Sequence, residues 1–577
     1  MNSVSKYFGT AVEALFQFTK FCRVMDEVSA TAKRKEKNAL VAEMLSEENL
    51  SDDELAAICY FSIGIVDPTL KIGVGWRTVA RVVRELSGKS WTEIQKHYRQ
   101  DADFGRMCEF ALSTRRTDLT QFLTTKQQEK QLSVLEISSA LKNISTMTGT
   151  GSIRARTDAI KRIFYDLSPL EVKYVARFLT EDTRTGFRVG MLDEAIATAF
   201  NASSDLVRRA RMLLGDPGET ATRAKSGERA LKEVKIKIFR PVGLMLAEKA
   251  ETIAEALERH GQKAALEPKM DGMRAQLHVA NEGVARIYSR RLEDITASFP
   301  DLVAASKALG YQSIILDGEI AAFVDGKPVF FQDLVRRKRK YKAEEHAKKI
   351  PSVYFAFDIL LKDDKQLIDD PYSHRREILV SLVPNEGQIR LMESHQVREV
   401  DEIRELYDKF VELGYEGAMI KALDGPYLAG RRGKHWLKLK QEMELDLVIV
   451  GAERGHGRRT GWLSDYLLAA YDEENEEFVI VGKTFKGLTD VEFQEITKAL
   501  EEIAIKKESW GVVVTPKIVV KCVFEGIQAS KRYQSGLALR FARISEIRYD
   551  KTPDEADSLQ TVNEIFNQQF KAQTRVT

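Results

Sequence analysis

Cysteine is scarce in this sequence. Cys22, Cys59, Cys108 and Cys522 are the only four in 577 residues, with no CxxC pair and no histidine at zinc-ligand spacing. A disulfide framework and a structural zinc site are therefore not expected. Long apolar runs are missing too, since none approaches the roughly 18 to 20 residues that a membrane span needs. The opening MNSVSKYFGTAVEALFQF carries charges where a signal peptide needs a clean apolar core. These absences predict a soluble, intracellular protein, in the cytoplasm, nucleoid or nucleus, with no membrane partner. Net charge is nearly absent as well: 88 Lys and Arg against 86 Asp and Glu leave +2, so any polyanion binding must come from local patches. What the chain does have is 44% hydrophobic and 30% charged residues, enough apolar material for several cores and too much for wholesale disorder. At about 150 residues per domain the length predicts roughly four domains, or three if one is large.

Through the first 230 or so residues apolar side chains recur at three-to-four spacing, as in Leu15, Phe18, Cys22, Met25 and Val134, Ile137, Leu141, Ile144. That period predicts helix after helix. Ser168, Pro169 and Glu171 supply an N-cap, a first-turn proline and a capping-box glutamate, so a helix begins at Ser168. Between residues 213 and 243 the pattern breaks at Gly215, Pro217, Gly218 and Arg240-Pro241-Val242-Gly243, a domain boundary. From about 265 the period is two, in Ala275–Val279, Ser313–Asp317 and Val353–Phe357, with turns at Asn281–Gly283 and Asp325-Gly326 and a helical segment at 401–413. This is an α+β domain with substantial antiparallel sheet. After Lys440 short strands are predicted at Leu445–Ala452, Tyr466–Tyr471, Phe478–Thr484 and Ile518–Phe524, with a solvated acidic hairpin tip at Asp472–Glu477. A small closed or partly open barrel would remove the edges of so many short strands.

Chemistry concentrates in the middle of the chain. Glu267-Pro-Lys269-Met-Asp271-Gly272-Met-Arg274 places a lysine at the head of a strand, a turn glycine after it and an arginine five residues on. Alone it would read as an exposed turn with a salt bridge. It is followed in order by Ser289-Arg290-Arg291-Leu-Glu293-Asp294, Leu316-Asp317-Gly318-Glu319, Glu416-Gly417-Ala-Met-Ile-Lys421 and Trp436-Leu-Lys438-Leu-Lys440. This ordered set resembles the nucleotidyltransferase motifs of ATP-dependent DNA ligases, RNA ligases and mRNA capping enzymes. Met147–Ser152, Asp182–Gly186 and the run Leu539-Arg540-Phe-Ala-Arg543 followed by Arg548-Tyr-Asp550-Lys551 look like the three-domain DNA ligases of archaea and eukaryotes. The likeness covers nearly the whole chain. It implies an all-α DNA-binding domain over 1–235, an α+β adenylation (nucleotidyltransferase) domain over 236–440 and a β-barrel OB-fold domain over 441–577.

The resemblance implies sealing of nicked duplex DNA in replication, repair and recombination. Lys269 would attack ATP to form a lysine–AMP bond, the AMP would pass to the 5′-phosphate, and the 3′-hydroxyl would expel it. To attack, a lysine must be neutral, and with a reference pKa near 10.4 only about one in a thousand is so at pH 7. Lys438, Lys440, Arg274 and a bound metal ion are the candidates for disfavouring its charge. Lys438 and Lys440, two apart on one strand, point the same way and can both reach the α-phosphate, although the pair alone reads equally well as an outward basic strand. Glu319 is implied to face the ribose hydroxyl with a share in metal binding, and Glu416 to serve a divalent ion, Mg²⁺. Glu267 would read the adenine edge, Phe357 stack on the base, Arg274 and Arg290 contact ribose or phosphate, and Arg432 lie on the nucleotide. A phenylalanine in an apolar strand, as Phe357 is, is more often plain core.

Arg540 and Arg543 suit a pyrophosphate leaving group, because guanidinium forks bind phosphate bidentately and stay charged. Ala542 stands where the family usually has proline. In the helical region Gly149, Gly151, Ser152 and Gly186 are expected near helix starts, where amides bind phosphate. Arg154, Arg156, Arg208, Arg209, Arg211 and the run Arg336–Lys340 would add salt-sensitive contacts or form solvated faces. A sliding clamp is a candidate recruiter, and the chain is expected to act as a monomer. Two other readings remain open at this level: an RNA ligase or capping enzyme, which would not need the long helical region, and a nick-binding protein without catalysis.

Overall fold

The computed structural model describes residues 15–570 except 102, 114–130, 150, 281–282, 311–312, 325–326, 329–333, 335–349, 441 and 456–458. The turn residues Asn281, Glu282, Asp325 and Gly326 and the basic run Arg336–Lys340 lie outside the described residues. The chain divides into two compact units, Met1–Gly243 and Leu244–Thr577.

The first unit is built of helices. Serine caps set several of its starts: Ser51, Ser133 and Ser168 each accept from the backbone N–H three residues on, while Glu54, Glu136 and Glu171 reach back to the cap. The helix predicted at Ser168 runs over Pro169–Leu179. Its buried face packs on Phe18–Ala30 and Asp52–Ser62 through rings, with Phe61 stacked on Phe178 at 4.6 Å and Phe18, Phe21 and Tyr174 around them. Aromatic pairs of this kind add about 0.5–1.5 kcal/mol each beyond the area they bury.

In the second unit the strands are β1 (Leu246–Lys249), β2 (Ala264–Lys269), β3 (Met273–Val279), β4 (Ala285–Ser289), β5 (Ile314–Val324), β6 (Lys327–Pro328), β7 (Ser352–Lys362), β8 (Lys365–Gln366), β9 (Ile389–Leu391), β10 (His395–Val397), β11 (Gly417–Ala422) and β12 (Arg432–Lys440). They form two largely antiparallel sheets, in the orders β4-β3-β5-β7-β8 and β1-β12-β11-β2-β10. The first sheet packs on a core that includes Leu277, Ile287, Phe299, Leu316 and Tyr354. The second covers Leu266, Phe410, Ile420 and Leu437, with the helix Val400–Glu412 laid against it.

The remaining strands are β13 (Met443–Arg454), β14 (Leu463–Asp472), β15 (Glu477–Thr484), β16 (Ala504–Lys507), β17 (Gly511–Phe524), β18 (Gly526–Ala529), β19 (Leu537–Arg540) and β20 (Arg543–Ile547). Their order is β15-β14-β13-β17-β16, with β20 also on β17 and β18 paired to β19. Among the described residues this pairing is open and does not close into a barrel. Helix Asp490–Glu502 buries Phe493, Ile496 and Leu500 in the same core as Leu447, Tyr466 and Val520.

One buried ion pair ties a helix to the first sheet. Arg375 and Asp358 are both 0% exposed, and the guanidinium meets the carboxylate through two bonds, 2.8 and 2.9 Å. Arg375 also donates to the carbonyls of Asp370 and Gly425. Removing one partner of such a pair strands a buried charge and costs about 3–5 kcal/mol. Arg375→Met is expected to lower the urea midpoint of the second unit accordingly; an unchanged midpoint would contradict this.

Candidate active site

Register brings the chemistry together. Gly417 on β11 lies opposite Lys269 at the end of β2 on one side and opposite Lys440 at the end of β12 on the other. The amide of Glu416 donates to the carbonyl of Lys269 at 2.8 Å, which fixes the carboxylate beside the lysine. Gly417 is required here, since its φ is +138° and a Cβ would meet the Leu439 carbonyl oxygen at 2.3 Å.

Glu416 is the hub. Its Oε2 lies 2.5 Å from Lys269 Nζ and 3.2 Å from Lys440 Nζ, while Arg540 Nη2 stands 3.9 Å from Oε1. Lys440 is also held by Glu525 at 2.5 Å, and Arg540 Nη1 lies 3.3 Å from Asp271 Oδ2. Burial pushes the Glu416 carboxyl up, but Lys269 and Lys440 outweigh it and hold the group well below the carboxylate range. Asp271 moves the other way, raised by burial and by the neighbouring Glu416 against the pull of Arg540. Burial likewise drives Glu319 up to about 8, with Lys269 and Arg274 opposing it. Glu319 faces Arg274 across β3 and β5, and Gly272 leaves room for it, because a Cβ there would fall 2.7 Å from Glu319 Cγ. Burial, Lys440, Lys269 and, from the rim, Arg432 depress Lys438 against the pull of Glu525.

A second cluster lies along the same strands, with Met419 opposite Glu267. Glu267 is buried between Lys421 Nζ, 2.6 Å from Oε2, and the Tyr372 hydroxyl, which donates to Oε1. Phe357 and Trp436 stand edge to face, 5.8 Å apart, over Lys421. Arg274 reaches towards both rings, yet its Nε and Nη2 are bound to Asp317 and its Nη1 to the Met245 carbonyl. Tyr427 donates at 2.6 Å to the same Asp317 oxygen, Oδ2, that Arg274 Nη2 takes.

Not every sequence candidate joins these clusters. Arg290 is exposed at the turn after β4, Arg432 is exposed at the start of β12, and Arg543 is held by Glu442 at 2.8 Å. In the helical unit Gly151 caps the helix Ser152–Asp166 with no side-chain bond, and Arg154 is exposed beside it. Arg211 and Arg208 instead turn onto the fully buried Asp193, so they are structural ties. Tyr372, Tyr427, Met245 and Glu525 were not anticipated from the sequence. Asp271, Asp317 and Lys421 stood inside recognised segments and carried no assigned role.

The sequence families bear directly on this geometry. The family described as "ATP dependent DNA ligase domain" matches residues 244–440, "DNA ligase N terminus" matches 17–197, and "ATP dependent DNA ligase C terminal region" matches 459–551. The chain belongs to the ATP-dependent DNA ligases. It is 36% identical over 566 residues to a DNA ligase of Thermococcus fumicolans, covering 96% of this chain and 100% of that one. It is 39% identical over 549 residues to DNA ligase 1 of Korarchaeum cryptofilum, covering 94% and 97%. The solved structure named Pmar-Lig_PreS3 shares the fold, with a TM-score of 0.56 at 17% identity over 92% of this chain and 99% of that one. As a member of this family the ligase takes ATP as co-substrate and seals nicks in duplex DNA through a lysine–AMP intermediate and an adenylated 5′-phosphate. Among the described residues no helix is long and apolar enough to cross a membrane.

Proposed function

We propose that Lys269 is the lysine that carries AMP. The convergence of Lys269, Lys440 and Arg540 on one carboxylate, Glu416, is the observation that supports this reading. The Lys269 ammonium is held by Glu416 until ATP arrives; once released and deprotonated, its Nζ attacks the α-phosphorus. The Nζ–P bond forms, the bond from the α-phosphorus to the bridging oxygen breaks, and pyrophosphate leaves. Lys438 and Lys440 then face the charge that develops on the α-phosphate, in a partly dry site where such contacts count most. Glu267 reads the adenine edge, Phe357 stacks on the base, Glu319 meets the ribose, and Arg290 and Arg432 add contacts from the rim. Arg274, bound to Asp317, has only its remaining N–H groups for ribose or phosphate.

The carboxylates Glu319 and Glu416 offer oxygen donors only, which suits a hard divalent cation that keeps several of its waters. They are the residues that would hold Mg²⁺, which when bound offsets phosphate charge. In this reading residues 1–235 form the DNA-binding domain, 236–440 the adenylation domain and 441–577 an OB-type domain. The ligase acts as an intracellular monomer, and a sliding clamp is the candidate recruiter. Incubation with α-labelled ATP and Mg²⁺, then a chase with nicked duplex DNA, tests the whole reading: label should enter the protein and leave as AMP. No labelling would overturn it.

Arg540 and Arg543 are separated by the structure. Arg540 reaches Asp271 and Glu416, while Arg543 is occupied by Glu442. Arg540→Ala is therefore expected to slow self-adenylation more than Arg543→Ala, and more than it slows sealing of nicks that already carry AMP, which have no pyrophosphate to orient. Equal losses in both steps would argue against a leaving-group role.

A further inference from the structure

The Glu267 carboxylate is gripped by two residues to which no role has yet been given. Lys421 takes Oε2 at 2.6 Å and the Tyr372 hydroxyl takes Oε1, and none of the three is more than 2% exposed. Burying a carboxylate costs several kcal/mol unless it is paired. Here both oxygens are paired, and because an ionised carboxylate has about four acceptor positions and no donor, each oxygen keeps a lone pair for a ligand. Lys421 also donates to the Phe357 carbonyl at 3.3 Å and lies 4.6 Å from the Phe357 ring centre and 4.5 Å from that of Trp436. One ammonium thus ties the acceptor to the aromatic wall beside it.

We propose that Lys421 and Tyr372 are positioning residues that set base selectivity, by keeping Glu267 a pure acceptor towards the purine 6-position. This rests on the reading in which Glu267 meets the adenine edge. Adenine carries an amino donor at that position, whereas 6-oxopurines carry a carbonyl acceptor. An acceptor-only carboxylate bonds the first and repels the second. Sites built to hydrogen-bond one group can reject its analogue by up to about 10⁴–10⁵. Without Lys421 one oxygen of the buried carboxylate loses its partner, and the side chain is no longer held in the pose that excludes a 6-oxo group. Selectivity then relaxes in a defined direction: the 6-oxopurine improves relative to adenine.

The test compares self-adenylation by α-labelled ATP and by α-labelled inosine triphosphate, a 6-oxopurine nucleotide, in the full-length protein and in Lys421→Met, Tyr372→Phe and Glu267→Gln. The ATP preference is expected to fall by about tenfold or more in Lys421→Met and by less in Tyr372→Phe, which loses one neutral donor. The change should lie mainly in KM for ATP. An unchanged preference in Lys421→Met and Tyr372→Phe, with a shifted one in Glu267→Gln, overturns the positioning role and leaves Glu267 as the base reader. An unchanged preference in all three overturns both. If Lys421→Met does not fold, Tyr372→Phe, which removes only a hydroxyl, decides the matter alone.

Discussion

Lys269→Ala is expected to abolish self-adenylation, leaving no label on the protein after incubation with α-labelled ATP and Mg²⁺. Lys440 does not replace Lys269: Glu416 at 3.2 Å and Glu525 at 2.5 Å favour its charged form, and a charged amine is no nucleophile. A nick that already carries AMP bypasses the missing step. The variant should therefore retain residual sealing of pre-adenylated nicks, since Lys438, Lys440 and the carboxylates around them are intact. Labelling of Lys269→Ala at the wild-type level would remove the assignment.

The second large effect concerns the helical unit. A truncated protein beginning at Leu244 keeps every nucleotide-site residue named above and the three apolar cores of its own unit. It should still label itself with ATP. It lacks the helix start at Gly151 and Ser152 and the exposed Arg154, which in the proposed reading supply contacts to phosphates that carry no sequence information. Nick affinity should fall strongly, so that sealing at low protein concentration is lost and partly returns at high concentration. For the intact ligase, binding should be independent of nick sequence and weaken steeply as salt rises. A truncated protein that seals as well as the intact one at low concentration would contradict the DNA-gripping role.

Much of this was legible in the sequence because it is written locally. The Ser168-Pro169-Glu171 cap needs only neighbouring residues, and it starts a helix at that place. Period-two runs located β3, β5 and β7, and the short strands read after Lys440 located β13, β14, β15 and β17, although the strand ends extend beyond the runs. Lys269, Glu319, Glu416, Lys438 and Lys440 stood out through the ordered segments that resemble nucleotidyltransferase motifs, since each alone reads as a salt bridge or a basic strand. What could not be read depends on register between distant segments. Tyr372 meets Glu267 across 105 residues and Glu525 meets Lys440 across 85, and neither carries a local mark. β1 was missed because its four residues are too few to show a period. Arg211 reads in sequence as a phosphate contact or part of a solvated face, and only the structure shows that Asp193, on another helix and fully buried, holds it. Arg540 and Arg543 look equivalent in sequence, yet Asp271 and Glu416 take the first and Glu442 the second.

The most direct measurement of the central claim is to locate the AMP. Protein labelled with ATP and Mg²⁺, digested at neutral or mildly alkaline pH to spare the phosphoramidate, and analysed by mass spectrometry should carry AMP on the peptide containing Lys269. AMP on Lys421, Lys438 or Lys440, with Lys269 unmodified, would contradict the account.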